Sequence, residues 1–196
     1  MVTRRHVLST IPGLATLGSL TGGRLHAADL PRPTPAMVFK KPEGGVIDPK
    51  QFLGKVVALE FMITTCPHCQ RCSQILQKMQ NEYGDKGFQA LGVATNDMAH
   101  MLVPDFKKNY GIHFPMGWAP RDDAHSFLQH PAMLIMYVPQ LVFIDRKGVI
   151  RAQFAGNDDF FRDEERNVRN QITSLLNEKT AAPARSRKAV KSGTRG

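Results

Sequence analysis

Three cysteines, Cys66, Cys69 and Cys72, fall within seven residues, and the 196-residue chain has no others. With no distant cysteine to pair with, a structural disulfide framework is excluded. Such clustering points to thiol redox chemistry, soft-metal binding or both. Cys66-Pro67-His68-Cys69 has the spacing that redox exchange needs. At a helix N-terminus, unpaired backbone N–H groups and the helix dipole stabilise a thiolate at Cys66. Cys69 then lies one turn further on, close enough to close a disulfide. Cys66 is therefore read as the nucleophile and Cys69 as the resolving thiol. The thiolate attacks a partner disulfide, a mixed disulfide forms, and the second cysteine releases it. His68 adds donor capacity and, when protonated, positive charge beside the thiolate. Both favour an oxidising couple. Such exchange requires no cofactor and no metal, and none is expected.

The surrounding pattern supplies the elements that this chemistry requires. Val56 to Met62 is a short, mostly apolar run that fits a buried strand. The cysteine motif follows at once. Cys72, Ile75, Leu76, Met79 and Tyr83 then recur at helical spacing, predicting a helix from about Pro67 to Tyr83. Pro67 suits its first turn, where a missing N–H costs nothing. Phe88 to Ala94 reads as the next strand and 100–110 as a helix. Phe114 to Met116 reads as a short edge segment and 121–130 as a short helix. Leu141 to Asp145 and Val149 to Phe154 read as a hairpin around Arg146-Lys147-Gly148. Val168, Ile172, Leu175 and Leu176 mark a last amphipathic helix. Alternating strands and helices followed by a hairpin and a helix give an α/β fold, a mixed sheet with helices on its faces.

Glu60 stands out as a carboxylate in an otherwise apolar strand, a costly placement that usually has a reason. Cys72 reads either as a small buried apolar residue or as a third thiol near Cys69. His100, His113, His125 and His130 are scattered, with no ligand spacing between them.

The formal charge of +9 belongs to the ends. Residues 1–28 carry three basic residues and no acid, and 179–196 carry six and no acid. The stretch 29–178 is left with 17 of each sign. A neutral core has no electrostatic footprint for a phosphate backbone, so no nucleic-acid partner is expected. Arg4-Arg5 ahead of the apolar stretch Val7–Leu20, with Ala27-Ala28 after it, reads as an export signal over 1–28 resembling the twin-arginine type. The apolar run is short for a membrane span. If the signal is retained, it anchors the chain. Residues 179–196 read as a disordered basic tail, with weak association with anionic surfaces as the sharper alternative. The domain between is 29–178, with a Pro-rich lead-in at 29–36.

Glu60-Phe61 placed six residues before Cys66-Pro67-His68-Cys69 resembles the active-site approach of bacterial Dsb-type disulfide oxidases. The frame around it is similar to the exported TlpA/ResA-type proteins of the thioredoxin-like superfamily. Three segments carry that likeness: Gly54 to Leu59, Tyr110 to Pro115, and Val138-Pro139-Gln140-Leu141-Val142-Phe143-Ile144-Asp145-Arg146-Lys147-Gly148. The resemblance covers about 36–178. It implies a thioredoxin-like fold, a mixed central β-sheet flanked by helices with an N-terminal β extension. It also implies a periplasmic thiol–disulfide oxidoreductase with protein thiol or disulfide substrates and a redox partner protein. Pro139 falls at the family's cis-proline position, and Glu60 is implied as proton acceptor for Cys69. Thr65 stands where the family usually has tryptophan. The frame resembles reductants and the motif an oxidase, so the resemblance leaves the direction of electron flow open. Two other functions stay in view. A copper metallochaperone would use Cys66 and Cys69 with Cys72 or a histidine, since soft thiolates suit Cu(I). A peroxiredoxin-like thiol peroxidase would want threonine three residues before the reactive cysteine, where this chain has Ile63.

Overall fold

The computed structural model describes residues 28–178. Eight strands form one sheet: β1 (Arg32–Pro33), β2 (Phe39–Lys40), β3 (Val46–Ile47), β4 (Val56–Met62), β5 (Phe88–Ala94), β6 (Met116–Trp118), β7 (Gln140–Ile144) and β8 (Val149–Phe154). Four helices accompany them: α1 (Pro67–Tyr83), α2 (Ala99–Tyr110), α3 (Arg121–Leu128) and α4 (Glu164–Asn177). The spatial order is β1-β8-β7-β4-β5-β6-β2-β3. β4, β5 and β6 run parallel, while the β7–β8 hairpin and the short N-terminal strands pair antiparallel. The sheet is therefore mixed, with a β extension from the N-terminal side, and the fold is thioredoxin-like.

β4 sits at the centre, and all seven of its residues are buried. Alternation along a strand sends its residues to two faces. Val57, Leu59 and Phe61 join Phe39, Ala124, Phe127 and Leu128 on one side, under α3. Val56, Ala58 and Met62 join Cys69, Cys72, Leu76, Val168 and Ile172 on the other, under α1 and α4. By the same alternation Glu60 belongs to the second face, beneath the cysteine helix. It is paired in register with Gly92 of β5 and Leu141 of β7, so its main chain is held from both sides.

The expected strands and helices occur within a residue or two of their predicted bounds. One expectation is corrected. Phe114–Met116 is not an edge segment: the strand is Met116–Trp118, and it lies inside the sheet between β5 and β2. The β2–β3 extension covers that edge, and Lys40 pairs with Trp118. Its close approach demands glycine next door, because a Cβ at Gly117 would stand 2.7 Å from the Lys40 carbonyl oxygen. Nearly all of the expected export signal over 1–28 and all of the basic tail over 179–196 lie outside the described residues. Among the described residues, no helix is long and apolar enough to cross a membrane.

Candidate active site

Cys66 is the N-cap of α1, with extended backbone (φ −84°, ψ 118°) and Pro67 in the first turn. Its N–H donates to the Ile63 carbonyl at 3.0 Å, and its carbonyl accepts from Gln70 N–H at 3.0 Å. The Cys66 side chain makes no capping hydrogen bond, so the sulfur takes the place of a capping oxygen at the positive end of a 17-residue helix. Cys66 is partly exposed, whereas Cys69 is fully buried one turn below it. Both are free thiols. Burial, followed by the Glu60 charge, pushes the Cys69 thiol far above its ordinary range; a backbone contact from Ile63 pulls the other way. Cys69 thus holds its proton until a nearby base takes it.

Glu60 is that nearby carboxylate, and it has no solvent exposure. Ser73 Oγ donates to its Oε2 at 2.6 Å, while Oε1 has no hydrogen-bond partner. Burial pushes its pKa up to about 8; the neighbouring Glu164 charge adds to this, and the Ser73 and Cys72 hydrogen bonds oppose it. Below that value the carboxyl is mostly protonated, and its ionised form, which grows as pH rises toward 8, is the one that can accept a proton. Cys72 is fully buried on the same helix, and burial, followed by the Glu60 and Glu164 charges, pushes its thiol well above the ordinary range.

His68 turns toward α4. Its ring packs edge-on against Phe161, centroids 4.8 Å apart, and its Nε2 lies 3.7 Å from Glu164 Oε2. Burial lowers its pKa, Glu164 raises it and Arg71 lowers it. The neutral ring is therefore favoured, and fixed positive charge near Cys66 is not what it supplies.

The Val138–Pro139 bond is cis. Val138 packs against both core clusters. Gln140 Nε2 donates to the Tyr137 carbonyl at 2.7 Å and Gly156 N–H to the same carbonyl at 3.1 Å. A Cβ at Gly156 would come within 2.6 Å of the Val138 carbonyl carbon, so only glycine lets these two stretches of backbone meet. A cleft of about 530 Å³ opens beside the cysteine loop, bounded by Ile63, Val138, Met136, Met98, His100 and Trp118. Thr95, Asn96, Asp97 and Arg121 line it as well, so its wall is mixed, polar and apolar; Met98 in that wall is more than half exposed.

The chain matches the Redoxin family over residues 32–172. It belongs to the Redoxin family. This redoxin is 33% identical over 79 residues to a protein named thiol-disulfide oxidoreductase ResA from Halalkalibacterium halodurans, a stretch covering 40% of this chain and 44% of that one. It is 28% identical over 118 residues to a Mycobacterium bovis protein named DipZ, covering 58% of this chain and 16% of the other. The chain thus aligns with less than two thirds of the length of these relatives. In structure it is similar to a thiol:disulfide interchange protein of the thioredoxin family from Chlorobium tepidum, with TM-score 0.63 and 21% identity, covering 76% of this chain and 99% of that one. That likeness shows the fold.

Glu164, Ser73, Arg71 and Gly156 were not singled out by the sequence. Glu164 sits in the charged run Asp163-Glu164-Glu165-Arg166, which reads as a solvated helix start. Only packing shows that its side chain is 5% exposed. Among the described residues, no group of three or more histidine, cysteine or acidic side chains is arranged to hold a metal ion.

Proposed function

We propose that this redoxin is an exported thiol–disulfide oxidoreductase working through Cys66 and Cys69 on protein thiols or disulfides, with a second protein renewing the pair. The observation that supports this most is the placement of Cys66 at the helix N-terminus, with Cys69 buried one turn below and a carboxyl held beneath them. When the pair starts reduced, Cys66 thiolate attacks a partner disulfide, and one partner sulfur leaves with the electron pair. Cys69 gives its proton to Glu60 and attacks Cys66 Sγ. The Cys66–Cys69 bond forms and the partner departs as a thiolate. The partner is thereby reduced and the chain oxidised; the reverse sequence delivers a disulfide.

The backbone around Val138 and Pro139, with the cleft of mixed polar and apolar lining beside it, offers a surface for an extended partner segment. His68 lines the α4 side of the pair as a neutral ring. Export rests on Arg4-Arg5 and the apolar stretch behind them, and the basic residues of 179–196 would associate weakly with anionic surfaces.

The test is a trapping experiment. Cys69→Ser should accumulate a mixed disulfide at Cys66 with partner proteins, visible by mass and released by reductant. Cys66→Ser should trap none. A Cys69→Ser protein that never retains a partner refutes the assignment. The reduction potential of the pair then assigns direction: near about −120 mV the chain donates disulfides, and near about −270 mV it reduces them.

A further inference from the structure

The His68 ring rests at the end of a chain of aromatic rings that begins in the sheet. Phe154 of β8 packs edge-on against Phe143 of β7, with centroids 6.2 Å apart, and stacks on Phe160 at 3.8 Å, the two planes 13° from parallel. Phe160 meets Phe161 edge-on at 5.4 Å, and Phe161 meets His68 the same way at 4.8 Å. Stacked and edge-on pairs of this kind are the favoured geometries of aromatic rings. The backbone under them is fixed as well. Asp158 caps the segment before α4 by accepting from Phe160 N–H at 2.8 Å, and Asn167 Nδ2 of α4 donates to the Phe160 carbonyl at 2.7 Å.

Glu164 closes the other side of the ring. Its side chain is 5% exposed, and a single oxygen, Oε2, accepts from Arg71 Nε at 3.1 Å and lies 3.7 Å from His68 Nε2. That ring nitrogen is buried and has no hydrogen-bond partner, the Cys66 sulfur included. A buried ring nitrogen left unbonded is uncommon. Packing on Phe161, rather than a hydrogen bond, decides where the ring lies.

We propose that Phe161 and Glu164 are positioning residues that set the direction of electron flow: by seating His68 against α4 they withhold it from the Cys66 thiolate, and the pair works as a reductant of partner disulfides. This rests on the reading of Cys66 and Cys69 as the exchanging pair. Pro67-His68 between the cysteines would by itself favour an oxidising couple, because a ring N–H donated to the thiolate stabilises the reduced form. That donor is turned elsewhere. The thiolate keeps only the helix N-terminus, and the oxidised pair gains relative to the reduced one.

The test is the equilibrium of the full-length chain with glutathione at neutral pH. The exchange balances: the pair loses two electrons and two protons as the Cys66–Cys69 bond forms, and glutathione disulfide takes them up as two glutathione thiols. The parent is expected nearer the reducing of the two potentials that assign direction. Phe161→Ala removes no charge and frees the ring. One charge-assisted hydrogen bond to the thiolate should then favour the reduced pair about tenfold, about 30 mV. His68→Ala alone should leave the parent equilibrium within about twofold, and combined with Phe161→Ala it should erase the gain. Glu164→Gln should shift the equilibrium in the same direction. The share due to the lost charge persists in the Glu164→Gln/His68→Ala double variant, and the share acting through the ring does not. Phe161→Leu carries the same expectation if Phe161→Ala does not fold. A purely structural Phe161 would lower stability and leave the equilibrium where it is. A Phe161 variant within about twofold of the parent overturns the proposal. So does a shift that survives whole without His68, or a parent pair nearer the oxidising value. A chain in which Cys66 and Cys69 form no disulfide at any glutathione ratio overturns the underlying reading, and the proposal with it.

Discussion

Replacing Glu60 by glutamine should abolish a pH dependence of stability that the reduced protein otherwise carries. In the unfolded chain the carboxyl ionises near 4.5, whereas burial in the fold holds its proton to about 8. Between those values the native state binds one proton more than the unfolded state, so stability falls as pH rises. The slope is about 1.4 kcal/mol per pH unit, and the whole window is worth about 5 kcal/mol, as an upper figure. Below the window Glu60 contributes no slope, and above it the loss is complete. His68 acts in the opposite sense at its lower end, since burial lowers its pKa and stability rises with pH as it deprotonates. That contribution is common to parent and variant and drops out of their difference. Cys69 and Cys72, both raised above 9.0, stay protonated throughout. The assay is urea unfolding of the reduced chain at half-unit pH steps from about 5 to 8, reading the midpoint at constant m-value. The parent should lose stability across the series, and Glu60→Gln should be nearly flat once the His68 contribution is subtracted. The variant carries a buried amide and starts lower at acid pH, by about 1–3 kcal/mol; the curves then converge and cross. Parallel curves would refute the assignment of a buried neutral Glu60.

Three further outcomes follow from the same geometry. Ser73→Ala removes the hydroxyl that favours the ionised Glu60, so the inflection of the resolving step should move to higher pH, as read by stopped flow of the reduced chain with excess dithiobis(nitrobenzoate) across a pH series. Gly156→Ala forces a Cβ against the Val138 carbonyl and should cost about 1–3 kcal/mol by thermal or urea unfolding. It should also slow partner exchange while leaving both cysteines in place. Phe61→Ala empties a ring packed between Phe39 and Phe127, with centroids 5.6 and 5.1 Å away; it should cost about 3–5 kcal/mol by urea unfolding, without moving the pH profile of exchange.

The parts of the fold with strict periodicity were legible from residues alone. α1 could be read because Cys72, Leu76, Met79 and Tyr83 repeat on one face while Pro67 marks its start. β4 could be read because its apolar run is unbroken but for Glu60. The two-residue strands β1, β2 and β3 carry no period of their own; the family resemblance implied an N-terminal β extension but not its register. Met116–Trp118 was misplaced for the same reason, since what makes it internal is Lys40, 78 positions earlier in the chain. Within the site, Cys66 and Cys69 follow from spacing. Glu164 does not, because a glutamate beginning a charged helix looks solvated until the helix is laid against Arg71 and His68. The state of His68 was equally hidden, being set by Phe161 and by burial rather than by its place between the cysteines.

The rim of the sheet bears on solubility. Its central strands are seven residues long, yet the strands at either end of the order, β1 and β3, have two residues each. A two-residue edge can offer a visiting chain only a couple of backbone hydrogen bonds, too few to template further pairing. Proline at position 33 removes one donor from one of those edges. At that end β1 covers only Val149 and Ile150 of the six-residue β8, so pairing with another chain would fall on the stretch that follows, where the exposed charge of Arg151 opposes it.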